Sequence, residues 1–188
     1  MKILRAYGIP DKLVSLIEKM YKGTLAKVLT KDGLTDAFHI QAGVMQGDTL
    51  APYLFIIVVD YIMRQSLEGN TYGFTINKRM SRRHPEQKLA DVDFADDLAL
   101  LEDTVKDAQK FLYSVEDAAK VVGMHLNDDK TKFMTKNCTD DAKIWARNGE
   151  EIKHVPDFLY LGSYLEIYHE FNVRKAKAWS ACHKMKKI

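Results

Sequence analysis

Apolar residues in this chain follow two periods. After Pro10, which suits the first turn of a helix, Leu13, Leu16, Ile17, Met20 and Tyr21 recur at helical spacing. Residues 1–9 read as the end of an element, closed by Gly8. Leu25–Thr30 and Ala37–Gln41 read as strands around Lys31-Asp32-Gly33, a turn signal. From Tyr53 to Met63 nearly every position is apolar, which predicts a helix buried on all sides. Thr71–Asn77 reads as a strand, 78–88 as a basic loop, and Leu89–Leu101 as two short strands. Thr104 with Asp107 resembles a capping box, and the stripe Val105, Ala108, Phe111, Leu112, Val115 continues to Gly123. Residues 124–134 read as a turn entering a strand. Asn148-Gly149 signals a hairpin between Lys143–Ala146 and Glu151–Val155. Phe158–Leu165 reads as one apolar strand with a central Gly162, and a basic amphipathic helix is expected from about Asn172 to the end.

Composition narrows this little. The 188 residues fit one domain, or one domain and part of another; they are 46% hydrophobic and 29% charged. A net charge of +2 gives no global field for nucleic acid, although Lys78–Arg83 and Arg174–Lys187 are locally basic. Cys138 and Cys182 are far apart, which argues against a zinc site or a disulfide framework and fits a reducing intracellular setting, nucleus or cytoplasm. The longest apolar run, Leu54–Val59, is too short to span a bilayer, and no signal peptide is visible at Met1.

Candidate chemistry centres on Leu89–Leu101, LADVDFADDLALL. Asp96 and Asp97 sit side by side between apolar strands, with Asp91 and Asp93 just before them. Adjacent ionised carboxylates repel by about 1 kcal/mol or more, so a counter-charge is expected. A divalent cation with a preference for hard oxygen ligands is a natural one, whereas acidic residues at an ordinary turn are simply solvated. Gly43 and Gly47 let the backbone approach something closely, and Gln46 and Asp48 offer polar contacts. Lys130 is the one candidate for chemistry in its segment.

The order GVMQGDTLAPYLF, DFADDLALL, GMHLNDDKTKFM, FLYLGSYL resembles the palm of a reverse transcriptase, most of all those of non-LTR (LINE-type) retrotransposons. The resemblance runs from about Gly8 to Lys187. It implies an α+β fold, a polymerase palm with an antiparallel sheet backed by helices, in a right-hand architecture. Residues 1–165 would be the partial palm, and 166–188 a basic helix starting the thumb or connection. It implies that Phe94-Ala95-Asp96-Asp97 is the motif whose aspartates bind two Mg²⁺ ions, which Mn²⁺ can replace. It also implies nucleotide or template contacts at Gly43, Gln46, Gly47, Phe94 and Ala95, a triphosphate-side lysine at Lys130, and a primer grip around Leu161 and Gly162. RNA template, DNA primer and dNTPs would be the partners, with no membrane.

The family carries a first metal-binding aspartate upstream of the segment resembling Leu4–Pro10, and this sequence has no such segment. Fingers are missing too, and the family continues past Ile188. The expectation is therefore a palm portion truncated at both ends and inactive alone. The rival reading is a non-enzymatic retrotransposon remnant that folds and binds nucleic acid or protein.

Overall fold

A computed structural model describes residues 1–40, 42–137 and 142–185. Gln41, Cys138 and the last three residues of the expected basic helix lie outside them. Two helices open the chain, α1 (Lys2–Ala6) and α2 (Asp11–Tyr21), with Pro10 just ahead of the second. An interrupted ribbon follows. Its inner strands, β2 (Leu29–Thr30) and β3 (Gly33–Leu34), pair across Lys31-Asp32; its outer strands, β1 (Leu25–Ala26) and β4 (Phe38–His39), pair Leu25 with His39.

Helix α3 (Ala51–Leu67) leads to β5 (Phe74–Asn77) and β6 (Gln87–Leu89), an antiparallel pair with an irregularity between Thr75 and Asn77. The basic loop therefore ends at Glu86, and Gln87 and Lys88 belong to a strand. Next come β7 (Asp91–Phe94), β8 (Asp97–Leu100) and α4 (Val105–Val121). The Thr104 side chain caps α4 by accepting from the Asp107 N–H, and Gly123 leaves the helix at φ +78°. Strand β9 (Lys132–Phe133) pairs in parallel with β10 (Lys153–His154), and the Asn148-Gly149 turn survives as a single bridge, Trp145 with Glu151. The chain finishes with β11 (Leu159–Tyr160), β12 (Ser163–Tyr164) and α5 (Ile167–Met185).

The core lies where α3 crosses α4. Ile62 and Met63 meet Phe111 and Val115, with Leu98 and Leu100 of β8 packed against them. Phe111 is fully buried and stacks on Tyr72 at 4.7 Å. Burying such a ring contributes about 2–3 kcal/mol. A second cluster joins Leu112 to Ile144, Ala146 and Ile152, and a third joins Leu4, Val14 and Ile17 to the start of α3.

The mixture of helices and small sheets is α+β. In place of one continuous sheet, however, the described residues form two-stranded pairs. Three further expectations are corrected. Helix α3 is not buried on all sides: Tyr53 is 67% and Ile56 52% exposed, because the packed stripe runs through Val59, Ile62, Met63 and Ser66. Phe158–Leu165 is a tight hairpin, not one strand, because Leu161 (φ +49°) and Gly162 (φ +83°) both take the left-handed conformation that a two-residue turn needs. Helix α5 begins at Ile167, five residues before the expected start, and none of its residues is buried. Among the described residues no helix is long and apolar enough to cross a membrane.

Candidate functional site

Strands β7 and β8 pair Asp91 with Leu100, Val92 with Ala99, Asp93 with Leu98 and Phe94 with Asp97. That register leaves Ala95-Asp96 as a two-residue tip. Directly opposed residues share a face, so Leu98 and Leu100 point with Asp91 and Asp93, while Phe94 and Asp97 share the other face. Leu98 and Leu100 pack on the α3–α4 core and anchor the hairpin from below. Asp96 and Asp97 are exposed, and so is Phe94 at 62%. Ala95 holds φ +55°, a conformation that costs a non-glycine residue about 1–2 kcal/mol. Sequence pattern predicts the tip but not this strain.

The same face as Leu98 carries an electrostatic conflict. The Asp93 carboxyl is pushed up to about 6, first by loss of water around it, then by the charge and hydrogen bond of Asp91 and the charge of Asp60. Two adjacent, exposed, oxygen-only donors at Asp96 and Asp97 fit a hard divalent cation that keeps part of its water shell. Among the described residues no group of three His, Cys, Asp or Glu side chains is arranged to hold a metal.

The glycine loop is shaped by its backbone. Gly43 (φ +91°) and Gly47 (φ +90°) both occupy the left-handed region, and a Cβ added at either would meet nothing within 4 Å. Glycine is required there for conformation, and the space above both is open. Gln46 is exposed. Asp48 turns inward: it accepts from the Tyr21 hydroxyl at 2.6 Å and from the Leu50 N–H at 3.0 Å. These bonds, the Tyr21 hydroxyl foremost, hold its carboxyl below the usual carboxylate range. Asp48 therefore ties the loop to α2 and the start of α3. Lys130 is exposed in a turn where its N–H donates to the carbonyl of Asn127 at 3.1 Å. Among the described residues no hydrogen bond or ion pair joins its side chain to the acidic hairpin.

A family model described as "Reverse transcriptase (RNA-dependent DNA polymerase)" matches residues 1–181. The chain belongs to the reverse transcriptase family. It is 32% identical over 175 residues to the "Retrovirus-related Pol polyprotein from type-1 retrotransposable element R2" of Popillia japonica, covering 93% of this chain and 26% of that protein. It is 35% identical over 130 residues to the "Retrovirus-related Pol polyprotein from type-2 retrotransposable element R2DM" of Drosophila melanogaster, covering 68% of this chain and 11% of that one. This chain thus spans about a quarter or less of the length of these curated relatives.

Within this reverse transcriptase chain the structure joins two of the predicted motifs. The Tyr160 hydroxyl donates to the Val92 carbonyl at 2.9 Å and lies 3.4 Å from the Asp97 carbonyl, which seats the β11–β12 hairpin against the acidic one. Leu161 and Gly162 form the tip of that second hairpin. Sequence reading passes over Tyr160, because an apolar run hides which residue will carry a long-range hydrogen bond. It also passes over Gly73, where a Cβ would come within 3.0 Å of the Leu89 backbone. An isolated glycine inside a predicted strand is the available signal for such a close approach. Glu102 and Asp103 clamp the same place, accepting from the N–H groups of Gly73 (2.9 Å) and Thr75 (3.1 Å). The β5–β6 pair is thereby fixed beside the root of the acidic hairpin.

Proposed function

We propose that this chain is the palm segment of a non-LTR reverse transcriptase, an RNA-directed DNA polymerase that adds dNTPs to a DNA primer on an RNA template. Residues 1–165 are the partial palm, and 166–188 begin the thumb or connection. An intracellular setting, nucleus or cytoplasm, goes with that substrate. The observation that carries the reading is the pair Asp96 and Asp97, exposed at the tip and the first strand residue after it, on a hairpin whose Leu98 and Leu100 pack on the core.

In this reading Asp96 and Asp97 hold the divalent ions, Mg²⁺ or Mn²⁺. Such ions, when bound, activate the primer 3′-hydroxyl and neutralise charge on the leaving pyrophosphate. The protein's part is placement. Core packing of Leu98 and Leu100 fixes the height of the carboxylates. The open surface over Gly43 and Gly47 admits a base pair beside Gln46, and Phe94 and Ala95 line the nucleotide from the hairpin. Lys130 offers charge to the triphosphate once substrate draws the two segments together. Leu161 and Gly162 sit where the hairpin of Tyr160 meets the acidic one, a place suited to steadying the primer end.

Manganese binding measured by water-proton relaxation tests the reading. Wild-type chain should bind Mn²⁺, Asp96→Asn should bind it markedly more weakly, and the Asp96→Asn, Asp97→Asn double variant should not bind it. Equal binding by the double variant and wild type refutes the assignment. Primer extension by the 188 residues alone should be absent, since the described residues bring no third carboxylate to the pair. Extension that depends on Asp96 would show that a further ligand lies within the chain.

A further inference from the structure

We propose that Tyr160 is a positioning residue for the acidic pair, whose hydroxyl clamps the tip of the β7–β8 hairpin through the carbonyls of Val92 and Asp97. The proposal rests on the reading of Asp96 and Asp97 given above and adds to it a residue that holds them in place. Val92 belongs to one strand and Asp97 to the other, so the one hydroxyl proton, given mainly to the Val92 carbonyl at 2.9 Å and shared with the Asp97 carbonyl at 3.4 Å, bridges the two strands next to the tip. The Asp97 carbonyl and carboxylate hang from the same Cα. Gripping one limits the swing of the other. The grip falls beside Ala95, the strained residue at φ +55°, where the hairpin has most to gain by relaxing.

Leu98 and Leu100 anchor the root of β8, and the clamp to β5 acts further down, through Glu102 and Asp103. Tyr160 is half-buried, and its hydroxyl has the carbonyls of both strands within hydrogen-bond distance. The clamp also makes the tip at Leu161-Gly162 and the tip at Ala95-Asp96 neighbours on one support. Tightening either then favours order at the other.

The test uses the full 188-residue chain as wild type, Tyr160→Phe and Tyr164→Phe. The last removes a hydroxyl from the same hairpin without touching the acidic one. Amide exchange read residue by residue by NMR, manganese affinity and thermal melting are measured on each. For Tyr160→Phe, exchange of the Phe94, Asp97 and Ala99 amides should quicken and manganese affinity should fall, each by about 2- to 10-fold, the range set by one lost hydrogen bond. Its melting temperature should stay close to wild type, and Tyr164→Phe should match wild type throughout. Unchanged exchange in Tyr160→Phe overturns the clamp. Faster exchange with unchanged manganese affinity overturns the positioning role and leaves a structural strut. If wild type binds no manganese, the metal reading itself falls, and the exchange rates alone decide the clamp: acceleration supports it, no change overturns it.

Discussion

The hairpins of Asp91–Leu100 and Leu159–Tyr164 share one design and differ in nearly everything built on it. Each closes through two residues, and each puts a non-glycine residue first in the tip at positive φ, Ala95 at +55° and Leu161 at +49°. The acidic hairpin sends Leu98 and Leu100 into the α3–α4 core. The apolar hairpin leaves Leu159 51% and Leu161 52% exposed and meets its neighbour through a tyrosine hydroxyl. Charge therefore rides on the firmly anchored hairpin, and apolar surface on the lightly held one. That is the reverse of what side-chain polarity alone predicts, and under the proposed metal-binding reading it would keep the carboxylates in place.

Removing the anchor should break this contrast most. Leu100→Ala is expected to cost about 2–3 kcal/mol in urea unfolding, the lower part of the range for a core leucine because Leu100 is only partly buried. Leu161→Ala should stay within about 0.5 kcal/mol. Equal costs would show that the two hairpins are anchored alike. Next in size is Gly162→Val, expected to destabilise by about 1–2 kcal/mol; the site has open space, so only the positive φ objects. A neutral result would mean the apolar tip rearranges freely.

Ala95→Gly should do the opposite at the other tip. Glycine relieves the left-handed strain, and a gain of up to about 1 kcal/mol is expected in the same unfolding assay. A loss would show that Ala95 is held there by contacts the gain does not outweigh. The smallest effect concerns pH. The folded-state value of Asp93 is raised to about 6 from an ordinary 3.8, so the native state binds its proton more tightly than the unfolded state does. Its unfavourable contribution is full above about pH 6 and disappears as pH falls below the ordinary value. Wild type and Asp93→Asn should therefore differ in the pH dependence of their melting temperature between about 4 and 6, with the Asn variant at least as stable at pH 7. Parallel profiles would show that Asp93 is solvated like any surface carboxylate.

Much of this was legible in the residues. Thr104 and Asp107 spell the cap of α4, and the stripe through Phe111 and Val115 faces the core as its spacing requires. The acidic tip falls where apolar strands stop and start again. Other features were not legible, each for a physical reason. An all-apolar stretch such as Tyr53–Met63 cannot reveal which side finds a partner, so the exposure of Tyr53 and Ile56 went unforeseen. Leu161 is a poor left-handed residue, so the turn in FLYLGSYL gave no chemical signal beyond Gly162. Tyr160 and Val92 are brought together by packing between segments far apart in the chain, and no local pattern encodes such a meeting. The proposed site roles rest on the order of four motifs, not on spacing within any one of them.

The short, nearest-neighbour strand pairs carry a consequence for how the chain acquires its shape. Leu25 with His39, Leu29 with Leu34, Phe74 with Leu89, Asp91 with Leu100 and Leu159 with Tyr164 all pair within about one hairpin's length of sequence. Each ribbon closes a small loop, an event of microseconds, and each can form on a ribosome before the next has emerged. What must wait is the crossing of α3 with α4 and the late arrival of Tyr160 over strands made some sixty residues earlier. Fast local closure followed by slow assembly means that the acidic tip is shaped early and clamped last. A nascent chain stopped before Tyr160 would display Asp96 and Asp97 on a ribbon still free to breathe.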